Sequence, residues 1–179
     1  MTKTGDHAKD SIQSKPYHIR PATEDDYDQI RAINRRAWFG GITTAELLER
    51  RHGMLNGTPW IEQITHDVAE HLAQPEVTTF VAEQGDMVIG YAAAQIKREK
   101  TSSAVGIVSY NAVDPDFRGQ GIGTALTTQV ISYLREQKAQ VLLVWTLESD
   151  ESACHIYEHL GFKELTRFVY YSMDCQEQT

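Results

Sequence analysis

Cysteine and long apolar runs are scarce in this sequence. The chain of 179 residues holds only Cys154 and Cys175, far apart and without the paired spacing of a disulfide framework or a zinc site. No stretch is apolar enough to span a bilayer, and the polar start Met1–Asp6 lacks the apolar segment of a secretory signal. These absences predict a cytoplasmic protein that does not insert into a membrane.

Positive charge is also in deficit. The chain carries 17 lysines and arginines against 25 aspartates and glutamates, which gives a formal net charge of -8. A polyanion such as DNA would on average be repelled, so we expect no nucleic-acid partner. The excess negative charge indicates a solvated acidic surface, and it is compatible with a cationic substrate.

What is present is enough for one folded domain. Hydrophobic residues make up 41% of the chain and charged residues 23%, proportions typical of a globular protein. Residues 1–15 are polar and show no hydrophobic period, so we predict a flexible N-terminal leader there. The remaining residues, 16–179, are predicted to form a single domain.

Hydrophobic periodicity predicts an α/β fold with a mixed sheet. Thr23 is positioned to cap the first helix, and Thr58-Pro59 is expected to open a later one. A strand, a turn, a helix and a second strand in succession imply a parallel pair joined by a right-handed crossover. The predicted strands cover 17–20, 77–83, 87–97, 104–113, a buried run 141–145 and a final hairpin from 162–164 and 168–173, and the predicted helices cover 23–38, 44–51, 58–73, 122–137 and 152–160.

A glycine-rich turn, Arg118-Gly119-Gln120-Gly121-Ile122-Gly123, leads directly into the amphipathic helix that starts near residue 122. The first N–H groups of a helix have no internal acceptor and can bind a phosphate together. The alternative is a tight strand-to-helix connection that packs against the sheet. The Lys-Ser/Thr of a P-loop is missing, and the turn lies too far along the chain to open a dinucleotide domain.

Three ordered motifs carry a resemblance to the GNAT superfamily of N-acetyltransferases. Arg118, Gly121 and Gly123 match its Gln/Arg-x-x-Gly-x-Gly/Ala hallmark in the same strand-to-helix context. Residues 153–162, with Tyr157 and a closing Gly-Phe, resemble its second motif, and residues 19–22 resemble its first strand. The resemblance spans 17 to about 173 and implies a mostly antiparallel central sheet with helices on both faces and one splayed parallel strand pair.

The resemblance also implies acetyl-CoA as co-substrate, bound in the gap of that splayed pair. It places the pantetheine and acetyl end against Asn111, Ala112 and Val113. It places the pyrophosphate at the glycine-rich turn and the start of the following helix, which comprise Arg118, Gly119, Gln120, Gly121, Ile122, Gly123 and Thr124. The implied reaction is direct attack of a primary amine, on a small molecule, peptide or protein, on the thioester.

The same resemblance gives Tyr157 the role of the acid that protonates the departing thiolate, although its ring packing on the cofactor is an alternative. No base can be transferred, since the usual strand positions carry Ile107 and Trp145. Glu148 or a chain of waters is the hypothesis for that role. Asp150 stands where many relatives carry an asparagine near the cofactor, and capping of the next helix is our preferred interpretation of it.

Two further groups of residues have open interpretations. His155 and His159 share one helix face but lack a third ligand, so we expect solvated or partly packed side chains and no metal. Residues 38–41 and 47–60 either line the acceptor pocket or pack their aromatic side chains inward. Glu46, Glu49 and Glu62 either attract an amine or are solvated.

Two alternatives to an acetyltransferase remain. A noncatalytic acyl-CoA-binding sensor or interaction module is compatible with the absence of an obvious base. A nucleotide-binding α/β protein unrelated to CoA is the other. A homodimer is compatible with the resemblance, and nothing in the sequence identifies the acceptor amine.

Overall fold

The computed structural model describes residues 16–40, 43–98 and 104–175. The predicted leader and Gly41 of the predicted helix break lie outside these ranges. Within them the chain forms one five-stranded sheet and five α-helices: β1 (His18–Pro21), α1 (Tyr27–Ala37), α2 (Thr44–His52), α3 (Trp60–Leu72), β2 (Val77–Gln84), β3 (Met87–Arg98), β4 (Ala104–Val113), α4 (Ile122–Glu136), β5 (Val141–Leu143) and α5 (Glu151–His159). None of the helices in the described ranges is long and apolar enough to cross a membrane.

The sheet is mixed, as the sequence predicts. Its strands lie in the order β1-β2-β3-β4-β5, and the first three pairings are antiparallel. The fourth pairing, between β4 and β5, is parallel, and α4 makes the crossover between these two strands. The mostly antiparallel sheet with one parallel pair is confirmed.

Helices cover both faces of the sheet because β2 and β3 bury alternate side chains on opposite sides. On one face Phe80 and Ala92 pack with Leu126 of α4. On the other face Val81 packs among residues of α1 and α3, including Val68. The predicted two-sided arrangement is confirmed.

A β-bulge interrupts β4 near its middle. Ala94 pairs with Val108 and Ala93 with Tyr110, so Ser109 is an extra residue on β4. The Ser109 hydroxyl donates a hydrogen bond to the Ala93 carbonyl at 3.2 Å. Because a bulge bends its strand and re-aims the neighbouring side chains, it changes the direction of the second half of β4.

The parallel pair separates after three residues. β5 pairs with Val105–Ile107 only, so from Val108 onward β4 has a free edge on that side in the described part of the chain. The prediction of a buried strand over 141–145 is wrong, since β5 ends at Leu143 and Trp145 is 62% exposed. β5 is the last strand of the sheet, and no strand in the described ranges pairs with its outer edge.

The predicted C-terminal hairpin is also wrong. From Phe162 to Cys175 the described chain forms no strand, and Phe168 is 79% exposed. Arg167 binds Glu148 at 2.6 Å, and the ring of His52 lies 2.9 Å from the Ser172 hydroxyl. Alternating aromatic residues favour a strand, but a strand also needs a neighbouring edge with which to pair.

The predicted helix start at Thr23 caps a 3-10 helix that leads into α1 at Tyr27, and the start of α3 differs from the prediction by one residue. A short 3-10 helix over Glu24–Asp26 precedes α1, and the Thr23 N–H donates to the Asp26 carboxylate at 2.7 Å, as in a capping box. Pro59, rather than Thr58, is the N-cap of α3. The first N–H of α3, that of Trp60, donates to the Glu49 carboxylate at 2.6 Å, and this bond from α2 replaces the expected threonine cap.

Acid is expected to destabilise the fold through Asp26. Hydrogen bonds from Arg20, at 2.7 and 2.8 Å, lower the pKa of this carboxyl to about 2. Its folded pKa lies below its unfolded value near 4, so the stabilisation is present above pH ~4 and is lost as the pH falls toward 2. We expect Asp26→Asn to lower the free energy of unfolding at pH 6 by about 1 kcal/mol relative to wild type, and the difference to shrink near pH 2.

Urea unfolding at several pH values measures this difference. Asp25→Asn is the matched control, because Asp25 is exposed next to Asp26. A gap between wild type and Asp26→Asn that stays constant with pH would contradict the assignment.

Candidate active site

The glycine-rich turn leaves the start of α4 open. Gly119 and Gly121 have φ of 76° and 73°, in the left-handed region that favours glycine, and Gly121 is the N-cap of α4. The first N–H of α4 with an acceptor one turn back is that of Ala125, 3.0 Å from the Gly121 carbonyl. The N–H groups of Ile122, Gly123 and Thr124 precede this bond and are donors available to an anion.

The described part of the chain leaves the space beside Gly119 and Gly121 open. A Cβ placed on Gly119 or Gly121 would meet no atom within 4 Å, and both residues are exposed, as is Gln120. The first turn of α4 contains no acidic residue that would repel an anion. The donors and the open approach therefore fit a diphosphate.

Gly123 has a different reason to be glycine. A Cβ there would lie 3.2 Å from Cδ1 of Ile156, on α5, and 3.7 Å from a methyl group of Val113. The start of α4 thus packs closely against α5 and the end of β4. Both interpretations of the turn apply: one side is a tight packed connection and the other side is open.

Ion pairs fix the segment before the turn to the end of α1. Arg36 binds Asp114 and Asp116, each at 2.7 Å. The guanidinium of Arg118 donates to the Ala37 carbonyl at 2.6 Å. Arg118, predicted to bind the cofactor, therefore anchors the turn to α1 in this structure, and its contact with the cofactor stays a prediction.

The three residues predicted to contact pantetheine lie on the second half of β4. The Asn111 amide donates to the Thr127 hydroxyl of α4 at 2.7 Å, and Ala112 is buried against the α1 and α3 side of the sheet. These side chains thus face protein on either side of the sheet. What this segment offers a ligand is its main chain, along the β4 edge that β5 leaves free.

Tyr157 lies on α5, one residue beyond the Ile156 contact with the turn. Burial, and to a smaller extent the charge of Asp150, raise the pKa of its phenol to about 12. In the ranges that the structure covers, its hydroxyl makes no hydrogen bond, and its ring packs edge-on to Phe162 at 6.0 Å. The phenol is therefore protonated at neutral pH and able to donate.

Asp150 caps α5, and this preferred interpretation is confirmed. Its carboxylate accepts the Ala153 N–H at 3.0 Å. A contact of Asp150 with the cofactor stays a prediction. Glu148, the predicted base, is 83% exposed and bound to Arg167 at 2.6 Å, and its role also stays a prediction.

The other reactive side chains of α5 have simpler roles. Burial raises the pKa of the Cys154 thiol, which keeps it protonated and therefore poorly nucleophilic. The exposed rings of His155 and His159 stack with their centres 6.4 Å apart. The described ranges contain no group of three or more histidine, cysteine or acidic side chains arranged to hold a metal ion.

Of the aromatic residues in the predicted acceptor wall, Trp60 is buried and Trp38 is half-buried, whereas Phe39 is 55% exposed. Trp38 lies edge-on to Tyr110 at 5.8 Å and Phe39 edge-on to Trp60 at 5.1 Å. The acidic residues near them already have partners: Arg50 for Glu46, the Trp60 N–H for Glu49 and Arg35 for Glu62. Inward packing therefore describes Trp38 and Trp60, and a role of the exposed Phe39 in an acceptor pocket stays a prediction.

A cleft that the sequence did not indicate lies beside the bulge of β4. It has a volume of about 360 Å³ and lies between the end of α3, the middle of the sheet and the residue two places beyond β5. Its lining comprises His71, Gln74, Gln95, Lys97, Ser109, Tyr110 and Trp145. These residues come from four separate segments, and no local motif in the sequence links them.

Comparison with known proteins identifies the family. A model of the acetyltransferase (GNAT) family matches residues 27–162, which include the turn, the free edge of β4 and Tyr157. The chain belongs to this family. The GNAT resemblance stated from the three motifs is thereby confirmed.

Individual GNAT relatives bear names of several activities. An N-alpha-acetyltransferase of Sulfurisphaera tokodaii is 30% identical over 92% of this chain and 91% of its own length. A mycothiol acetyltransferase of Salinispora tropica is 28% identical over 92% of this chain. An aminoglycoside N-acetyltransferase in complex with CoA has a TM-score of 0.61 at 20% identity, over 89% of this chain and 95% of that one, and supports the fold.

This GNAT chain spans only part of several curated relatives. It covers 48% of the Salinispora tropica mycothiol acetyltransferase and 46% of the one from Salinispora arenicola. The chain therefore spans about half the length of these two proteins.

Proposed function

We propose that this GNAT protein transfers an acetyl group from acetyl-CoA to a primary amine of a small molecule, peptide or protein. The observation that carries the proposal is a pair of adjacent open features. The first N–H groups of α4 face an empty approach over Gly121, and the edge of β4 that leads to them is free from Val108 onward. Together they provide donors for a diphosphate and a main-chain edge for an extended, amide-containing arm.

The turn residues would bind the diphosphate of acetyl-CoA. The N–H groups of Ile122, Gly123 and Thr124 and the positive end of the α4 dipole favour an anion at this place. Arg36 and Arg118 hold the turn against α1, which keeps these N–H groups oriented before the ligand arrives. The free edge of β4 at Asn111–Val113 would pair with the amides of the pantetheine arm.

Tyr157 would act as the general acid. Its raised pKa of about 12 keeps the proton on the phenol until a thiolate forms nearby. Ile156, its neighbour in sequence, touches Gly123 of the turn, so α5 and the diphosphate site share one contact. Glu148 remains the candidate base from its place after β5, although its carboxylate is exposed and paired with Arg167.

Peptide α-amines are the first acceptor class to test. Support comes from the N-alpha-acetyltransferase relative, because the alignment covers 91% of that protein. Polyamines and aminoglycosides complete the panel as amines of other shapes. The net charge of -8 suits any of these cationic acceptors.

The experiment is an amine-panel assay that follows release of the CoA thiol from acetyl-CoA. We expect turnover with at least one acceptor, no turnover without an amine, and CoA binding by calorimetry. CoA binding without thiol release across the whole panel would contradict catalysis and favour an acyl-CoA sensor. Failure to bind CoA would contradict the proposal altogether.

A further inference from the structure

His71, on the last turn of α3, has a buried ring nitrogen without a partner. Its Nε2 is shielded from solvent and has no hydrogen-bond partner within the described ranges. His66, on the same helix, is 70% exposed and pairs with Glu70. A buried polar atom that stays unpaired costs free energy, so Nε2 is available to bind a water, a ligand group or a proton.

The surroundings of His71 keep its imidazole neutral. Burial is the main cause that lowers the pKa of this side chain; the charge of Lys97 also lowers it, and Glu76 opposes them. Tyr110 of β4 packs on the same face of the sheet; its ring lies edge-on to His71 at 5.2 Å, and burial and Asp67 raise the pKa of its own phenol. A neutral imidazole can accept a proton at pH 7.

His71 also lies at the correct end of the proposed acetyl-CoA site. Its ring contacts Tyr110, the residue that follows the bulged Ser109 on β4. The free edge of β4 begins beside this bulge, at Val108. The 360 Å³ cleft at this place is lined by both residues and by Trp145, which follows β5. The cleft therefore opens where the two parallel strands separate.

We propose that this cleft receives the acceptor amine and that Nε2 of His71, brought to the cleft surface by a rotation of the ring, takes its proton. The inference rests on the proposed acetyl transfer and supplies a base from α3 in place of Glu148. The aromatic faces of Tyr110 and Trp145 suit a cationic ammonium group at the entrance. The amide of Gln95 donates to that of Gln74 at 3.4 Å, and both side chains line the cleft as further polar groups.

The proton and electron movements balance. An acceptor that arrives as an ammonium ion gives one proton to His71, and the freed nitrogen lone pair forms the C–N bond to the thioester carbonyl. The C–S bond then breaks, its electron pair goes to sulfur, and the sulfur takes the Tyr157 phenol proton. The second proton lost by the nitrogen returns to the phenolate, and His71 releases its proton to solvent.

His71→Gln is expected to lower kcat/KM by about 100-fold for the acceptor that the panel identifies, with CoA affinity unchanged. Wild type should gain activity as the pH rises through the lowered pKa of His71, because only the neutral imidazole accepts a proton. That limb of the profile, on the acid side of the ordinary histidine range, should vanish in His71→Gln. His66→Gln, an exposed change on the same helix, is the matched control and should match wild type.

A measurement on the wild-type protein complements these variants. We expect the ring resonances of His71 in an NMR titration to shift when the acceptor is added to the CoA complex, and those of His66 to stay unchanged. Full activity and an intact low-pH limb in His71→Gln, together with a loss of activity in Glu148→Gln, would overturn the role of His71 alone. Absence of wild-type turnover with the whole panel would instead overturn the proposed function.

Discussion

Tyr157→Phe is expected to lower kcat by about 1,000-fold and to leave the Kd for CoA within about twofold of wild type. The phenol is partly buried, has a pKa of about 12 and makes no hydrogen bond inside the described protein, so its proton is free for a leaving group. Phenylalanine keeps the edge-on contact with Phe162 and removes only the donor. Steady-state kinetics with acetyl-CoA and calorimetry with CoA separate the two effects.

Tyr133→Phe is the matched control for this change. Tyr133 lies on the second half of α4, and its hydroxyl accepts a 2.9 Å hydrogen bond from Thr78 of β2, on the face of the sheet that α4 covers. We expect its removal to affect thermal stability slightly and kcat very little. Equal losses of kcat in the two variants, or a weakened CoA affinity in Tyr157→Phe alone, would contradict a role as acid and favour packing of the ring on the cofactor.

Gly121→Leu is expected to raise the Kd for CoA by about three orders of magnitude. Gly121 caps α4 in the left-handed region, at φ of 73°, directly before the three free N–H groups. A leucine there would occupy the open approach and, because L-residues resist this conformation, would also turn the N–H groups away from the diphosphate. The loss of two charge-assisted hydrogen bonds, each worth about 2 kcal/mol, weakens CoA binding by enough to raise the Kd by this factor.

Gly85→Leu is the matched control, because it introduces a similar backbone strain at a position outside the proposed CoA site. Gly85 lies in the turn between β2 and β3, has φ of 61° and, like Gly121, has no atom within 4 Å of an added Cβ. Both variants therefore carry a similar conformational cost, and both are expected to melt at a lower temperature. An unchanged CoA affinity in Gly121→Leu would remove the basis for placing the diphosphate at this turn.

Local patterns predicted the central part of the fold because the signals there are strong and agree with one another. β4 has the predicted bounds, Ala104–Val113, since a run of β-branched residues ends at a proline. The amphipathic period of α4 also predicted that helix, and the short turn between β2 and β3 predicted that these two strands pair. The crossover followed from chain order alone, because parallel strands require it.

The errors arose where tertiary context decides. Val141–Trp145 has the composition of a buried strand, but β5 is the edge of the sheet and pairs over only three residues. The aromatic run near Tyr170 lacks a partner strand, so alternation alone did not produce a hairpin. At the start of α3, the carboxylate of Glu49 on α2 accepts the first N–H of the helix, which the predicted threonine cap was expected to do.

The candidate site was predictable in part for the same reason. The turn and Tyr157 belong to motifs that are contiguous in sequence and could be recognised there. His71 belongs to no motif and lies 39 positions before Tyr110 in the sequence. Only the packing of α3 on the sheet brings the two rings together. No sequence period marks a contact of this kind.

The approach of Gly123 to Ile156 has a consequence for how this protein could be altered. A Cβ at position 123 would lie 3.2 Å from Cδ1 of Ile156, so the isoleucine side chain must shift by a few tenths of an ångström, or be shorter, to admit a methyl group there. In a library that randomises both positions, survivors with alanine at 123 should carry valine or alanine at 156. The two sites would vary as a pair, and single changes at the first would be selected against.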